Sequence, residues 1–240
     1  MKNKVEIVFE NNNYLVINKP AGLLVHGAGH IKEPSLIDEL EKKYPEITKV
    51  GEDPNRPGII HRLDKLVSGL MVIARSQEAF ENLKQQFQKR TIKKYYTALV
   101  FGKIIADEGE INFPIDRSPK GHKMMALAPT VKGETNPQGK AAITKYIVKK
   151  RFINYTLLKL RIITGRTHQI RVHLAAFGHP VVGDDLYGNK KAKSKNQKLE
   201  TKRIFLVADE LEFMSLDGQE KKFSIKLPHE LNNFLENYAK

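Results

Sequence analysis

Leu70 to Ala74 is an unbroken apolar stretch, and it follows almost directly on a charged one, His61-Arg62-Leu63-Asp64-Lys65. A short apolar run without polar alternation reads as a strand buried on both faces. Asp64 therefore stands just outside a buried element, between an arginine and a lysine. Opposite charges within a few Å favour the ionised form, and an ionised carboxylate is a weak base but a usable nucleophile. Gly58 and Gly69 let the backbone turn tightly on either side. The plainer reading is a surface loop with an ordinary ion pair, and for an arbitrary aspartate that reading is the better one.

The rest of the chain supplies the context. Residues 5–9 and 14–18 read as short strands around an Asn-rich turn, and Lys19-Pro20-Ala21-Gly22 breaks the second. Ser35 to Tyr44 reads as a helix, with Ser35 as N-cap, Asp38 at its third position, and Leu36, Ile37, Leu40 and Tyr44 on one face. A long loop follows over 45–60. Ser76 to Arg90 is an amphipathic helix with Phe80, Leu83 and Phe87 inward. Lys94 to Phe101 alternates as a strand, with Tyr96, Ala98 and Val100 sharing a face. Residues 102–139 read mostly as turn and loop. Segments 141–150 and 155–164 form a hairpin, and Thr167 to Phe177 a helix closed by Gly178 and Pro180. Residues 189–202 carry six lysines and little apolar material, which predicts an exposed, mobile basic loop. Strands are expected at 204–208 and 222–227, then a short helix.

Lysine and arginine total 41 against 27 acidic residues, a formal charge of +14. That imbalance favours a polyanionic partner, nucleic acid first. An anionic membrane is the competing reading, but it needs a basic amphipathic helix exposing large apolar residues, and every candidate is better explained as core. The chain has no cysteine, which excludes disulfide scaffolds, thiol nucleophiles and Cys-ligated zinc. No run of about 18 apolar residues predicts a membrane span. The N-terminal residues lack the apolar core of a signal peptide, so a cytoplasmic location is expected. There is no Walker motif, dinucleotide fingerprint or zinc-spaced cluster, and His168 and His173 are not in a HExxH pattern. No cofactor and no metal are expected.

Read together, HRLDKLVSGL, the middle element Lys94-Tyr95-Tyr96-Thr97-Ala98, and GRTHQIRVHLAAFGHPVVGDDLYG from Gly165 to Gly188 resemble the RluA-type RNA pseudouridine synthases. The motifs occur in the family's order, and the match runs from about Tyr14 to about Pro228. The resemblance implies an α+β catalytic fold, a large mainly antiparallel sheet flanked by helices, with two sublobes around a basic cleft. It implies one catalytic domain over 1–240, without the small RNA-binding module that many relatives carry ahead of it. Asp64 matches the essential aspartate and Tyr96 the active-site tyrosine. Arg171 matches the basic residue that pairs with the aspartate, with Arg166 as second choice. Arg62 is suited to filling the gap left by a flipped nucleotide or to a phosphate contact. Lys65, His61, Arg166 and His168 complete the expected RNA-contacting set, the two histidines chiefly through local hydrogen bonds. Leu206 is expected in the apolar wall of the pocket. Val67 stands where the family usually has Thr, and Asp185 where a small residue or Pro is common.

The implied reaction isomerises specific uridines of structured RNA to pseudouridine. Ribosomal RNA is the first substrate choice and tRNA the second, and the enzyme is expected to act as a monomer. Two other classes compete. A non-catalytic RNA-binding factor has no reason to keep the trio Asp64, Tyr96 and Arg171. A glycoside hydrolase or nucleosidase needs, in most cases, two cooperating carboxylates, and no second acid accompanies Asp64 in any motif. Without the family match, Tyr96 reads as a sheet tyrosine, Arg171 as a solvated helix arginine and Gly183 to Gly188 as a turn.

Overall fold

The structure is a computed structural model that describes residues 4–27, 33–119, 121, 123–127, 130–131, 134–135, 138–197 and 203–237. The architecture is α+β, with helices accompanying a large, mainly antiparallel sheet. The strands are β1 (Glu6–Glu10), β2 (Tyr14–Lys19), β3 (Ser68–Ala74), β4 (Lys93–Phe101), β5 (Glu108–Ile111), β6 (Ile115–Arg117), β7 (Met124–Ala126), β8 (Thr130–Val131), β9 (Glu134–Thr135), β10 (Thr144–Arg151), β11 (Tyr155–Ile162), β12 (Leu206–Met214) and β13 (Glu220–Ser224). The helices are α1 (Leu36–Lys43), α2 (Gln77–Gln88), α3 (Gln169–Ala176), α4 (Lys190–Gln197) and α5 (His229–Asn237). The chain divides into two compact units, Met1–Lys94 with Ala208–Lys226, and Tyr95–Val207 with Leu227–Lys240.

In the first unit the strand order is β1-β2-β3-β12, with β13 on β12. All seven residues of β3 are buried, which is why its sequence shows no alternation. It pairs antiparallel with β2, placing Val16 opposite Val72 and Lys19 opposite Gly69. Gly69 has φ +128°, and a Cβ there would lie 2.2 Å from the carbonyl oxygen of Ala208, so glycine is required for the close backbone approach. The core packs Tyr14, Val16, Leu70 and Val72 against Leu83 of α2 and Leu211 and Phe213 of β12. Ser76 caps α2 by accepting the Ala79 N–H at 3.2 Å. Ser35 and Asp38 form the expected capping box at α1.

In the second unit the order is β4-β11-β10-β5. The β10–β11 hairpin has the expected antiparallel register, Lys145 opposite Arg161 and Ile147 opposite Lys159. Thr156, Leu158, Leu160 and Ile162 are buried in alternation along β11.

Four expectations are corrected. Residues 45–60 open with a 3-10 helix, Pro45–Lys49. Residues 102–139 contain β5 to β9; β5 is Glu-Gly-Glu-Ile, whose charge hides an edge strand paired to β10. The stretch read as a mobile basic loop contains α4, with residues 198–202 outside the described set. Asn189 accepts the Ala192 N–H at 2.8 Å, and Asn196 bonds the Gly183 N–H at 2.9 Å and Asp185 at 3.2 Å. Capping and one buried face, Ala192 and Asn196, thus override a composition that predicts no helix. Finally, α3 starts at Gln169, because His168 adopts a left-handed φ of 54°.

Candidate active site

In the first unit, Asp64 lies in a turn in which its carbonyl accepts the Val67 N–H at 3.1 Å. Leu63 and Val67 are buried on either side, so the turn is pinned by apolar anchors while Asp64 remains half-buried. A second anchor is Lys19, at the end of β2 and fully buried. Its ammonium donates to the carbonyls of Pro20 at 2.9 Å, Leu23 at 2.8 Å and Lys65 at 3.2 Å. The Lys65 carbonyl also accepts the Gly22 N–H at 2.7 Å. The Lys-Pro-Ala-Gly break after β2 therefore clamps the segment that carries Asp64.

His61 fixes the other side of the turn. Its Nε2 accepts the Val72 N–H at 3.1 Å, so the neutral ring carries its proton on Nδ1. The ring stacks on Phe87 at 4.7 Å, and the Lys94 ammonium lies 4.9 Å from the same Phe87 ring. Burial, reinforced by the Lys94 charge, pushes the imidazole down to about 3. Burial lowers Lys94 to about 8. Arg62 is exposed, with Nη1 3.1 Å from His26 Nε2. Lys65 forms an exposed ion pair with Glu33 at 2.5 Å.

In the second unit, Tyr96 is buried in β4. Its neighbour Tyr95 takes the opposite face, as strand geometry requires, with Lys159 and Arg161 at 5.8 and 6.0 Å from its ring. Arg171 projects from α3 and makes a two-point bond to Asp184, Nε to Oδ2 at 2.8 Å and Nη2 to Oδ1 at 3.0 Å. The side chains are 4% and 1% exposed, so this is a buried pair and not a solvated helix arginine. The guanidinium carbon also lies 5.1 Å from the centre of the Tyr187 ring. Asp184 Oδ1 accepts the N–H groups of Leu186 and Tyr187 at 3.0 and 3.1 Å, which folds the Gly-Asp-Asp-Leu-Tyr-Gly turn around it.

Tyr187 joins this turn to α3. Its hydroxyl accepts the Met124 N–H at 3.0 Å and lies 2.8 Å from His168 Nδ1. Arg166 donates Nε–H to the Ala141 carbonyl at 3.1 Å, and its N–H to Gln169 Oε1 at 3.0 Å. His173 is fully buried between Thr144 Oγ1 at 3.0 Å and the Phe113 carbonyl at 2.8 Å. Burial lowers its pKa, so it is a neutral structural ring. Leu206 opens β12 and is buried. Sequence reading alone passed over three residues: Lys19, whose signal is a lysine ending an apolar strand before Pro-x-Gly, and Asp184 and Tyr187, whose signal is a turn-rich motif carrying an acid and an aromatic.

Among the described residues no group of three or more His, Asp or Glu is placed to hold a metal ion. Among the same residues no helix is long and apolar enough to cross a membrane.

Residues 13–176 match a family model described as RNA pseudouridylate synthase. An uncharacterized RNA pseudouridine synthase of Aquifex aeolicus is 41% identical over 197 residues, covering 81% of this chain and 60% of the relative. Ribosomal large subunit pseudouridine synthase D of Haemophilus ducreyi is 43% identical over 192 residues, covering 80% and 55%. The chain thus matches little more than half the length of these relatives. Among solved structures, human RNA Pseudouridylate Synthase Domain Containing 4 aligns with a TM-score of 0.77 and 25% identity, covering 96% of this chain and 92% of that one.

Proposed function

The chain belongs to the RNA pseudouridylate synthase family, and from that premise we propose that it isomerises specific uridines of structured RNA to pseudouridine. The observation that carries the reading is the family match over 13–176, a span that holds Asp64, Tyr96 and Arg171 in the family's motifs. In this reaction the N1–C1′ bond of uridine breaks, the uracil turns over, and C5 bonds to C1′. The C5 hydrogen is lost and N1 gains one, so atoms and electrons balance without a redox partner. The nucleotide must first leave its stack.

Asp64 supplies the carboxylate at the ribose, as nucleophile at C1′ or as base toward a ribose proton. Tyr96 lies against the uracil and relays a proton. Arg171 holds the aspartate ionised and aimed, through a charge-assisted bond. Arg62 fills the gap left by the flipped nucleotide or binds phosphate; Lys65, Arg166, His61 and His168 support the RNA around it, and Leu206 contributes an apolar wall. The protein acts as a cytoplasmic monomer, with no cofactor. Ribosomal RNA is the first substrate, supported by the relatives named for the large ribosomal subunit, and tRNA the second.

The test is Asp64→Asn. The two proteins are incubated with unmodified large-subunit ribosomal RNA and with tRNA, and pseudouridine is mapped by carbodiimide. Loss of the modification in the variant supports the reading. Near-normal turnover, or release of free uracil by the parent protein, overturns it.

A further inference from the structure

The turn from Gly183 to Gly188 reads in sequence as a connector, and the reaction scheme above gives it no task. Two of its side chains, Asp184 and Tyr187, nonetheless meet at one guanidinium. Asp184 occupies the Nε and Nη2 positions of Arg171 at 2.8 and 3.0 Å, with both side chains almost wholly removed from water. The Tyr187 ring lies beside the guanidinium carbon at 5.1 Å. A planar guanidinium held by a two-point carboxylate bond cannot rotate about its last bond without breaking both contacts.

Asp184 is itself immobilised by the Leu186 and Tyr187 N–H groups. The Tyr187 hydroxyl is tied to the Met124 N–H and to His168. Gly183 adds a further constraint. It has φ +78°, and a Cβ there would lie 2.1 Å from the Arg203 carbonyl oxygen. These contacts hold Asp184 and Tyr187 in place, and through them the guanidinium of Arg171.

We propose that Asp184 is a positioning residue for the isomerisation, aiming Arg171 through the two-point bond while Tyr187 supports the guanidinium from its face. This rests on the proposed role of Arg171 toward Asp64. Asp184 does not touch the nucleotide. It would act on the chemical step and leave RNA affinity nearly unchanged, because a misaimed guanidinium weakens an interaction made at the reacting carboxylate and not one made with the RNA chain.

The experiment is a double-mutant cycle of Asp184→Asn and Arg171→Gln, read as single-turnover rate and KM on an unmodified RNA fragment that carries the target uridine, with circular dichroism melts confirming that each protein is folded. The double variant removes both buried charges together and so leaves no unpaired ion in the interior. Asp184→Asn alone is expected to lower the rate on the order of 10- to 100-fold, with KM changed less than about threefold. In the Arg171→Gln background the same substitution is expected to change the rate less than about twofold. Asp184→Glu, which keeps the charge but displaces it by one methylene, should also lower the rate at unchanged KM. Equal losses from Asp184→Asn in both backgrounds, or a loss confined to KM, would overturn the proposal. A normal rate in Asp184→Asn with an impaired Arg171→Gln overturns it while sparing the role of Arg171. A normal rate in Arg171→Gln removes that role and this inference together, whereas Asp64 is judged separately by its own variant.

Discussion

The ammonium of Lys19 donates a hydrogen bond to the carbonyl of Lys65 at 3.2 Å, across 46 residues of sequence. That bond ties the end of a buried strand to the residue that follows Asp64. The charge is fully enclosed, and three converging carbonyls offset its desolvation.

Lys19→Met should cost about 3 kcal/mol: it loses three bonds to a charged donor, each contributing about 1.5–3 kcal/mol, and part of that loss is offset by relief of the buried charge's desolvation. Lys19→Arg should not restore the loss, because a planar fork does not fit three converging acceptors in an enclosed site. Urea unfolding measures the cost. A variant of unchanged midpoint would show that the clamp is dispensable.

His61 predicts a pH dependence of stability. The folded ring titrates at about 3, against an ordinary histidine value of 6.5. Between these values the unfolded chain binds a proton that the folded chain does not. The contribution is therefore complete above about 6.5 and lost as pH falls toward 3. His61→Gln, which keeps an acceptor for the Val72 N–H, should flatten the decline in urea midpoint between pH 7 and pH 4. Parallel curves for the two proteins would contradict this.

Lys94 lowers the same ring through its charge. Lys94→Met should raise the His61 value, read from the imidazole proton shifts by NMR. The Lys94 shift, from 10.5 down to about 8, contributes stability only above the unfolded value, lost as pH falls through the folded one. At neutral pH the buried ammonium is thus a net cost, and Lys94→Met should be at least as stable as the parent.

Gly69→Ala should be severely destabilising, by at least ~3 kcal/mol. The added Cβ meets the backbone of Ala208, which cannot rotate away as a side chain would, and φ is unfavourable for any L-residue. Soluble expression with a parent-like melting temperature would refute this.

Tyr96→Phe leaves the buried ring and removes only the hydroxyl. If that group relays a proton, the single-turnover rate should fall on the order of 100-fold while RNA affinity, measured by filter binding, is retained. A rate within twofold of the parent would assign Tyr96 to packing alone.

Several elements were legible because their signals are local. The capping box at Ser35 and Asp38, the inward face of α2, the alternation of β11 and the two-sided burial of β3 each follow from periods of 3.6 or 2 and from short hydrogen-bonded caps. Asp64, Tyr96 and Arg171 stood out through motif order. Helix α4 and strand β5 were not legible, because their composition is polar and their stability comes from partners distant in sequence. Asn196 finds Gly183, and Glu108–Ile111 finds the edge of β10.

The amino-acid order by itself determined the family, the strand that must be buried and the acid that stands beside it, because periodicity and adjacency are properties of the chain before it folds. Only the tertiary structure decided that Lys19 clamps the Asp64 turn, that His61 is a neutral stacked ring, and that Arg171 is gripped by Asp184 over Tyr187. Those relationships join residues from 11 to 46 positions apart. Their energies depend on burial and on the aim of donors at acceptors, and neither exists until the chain has closed on itself.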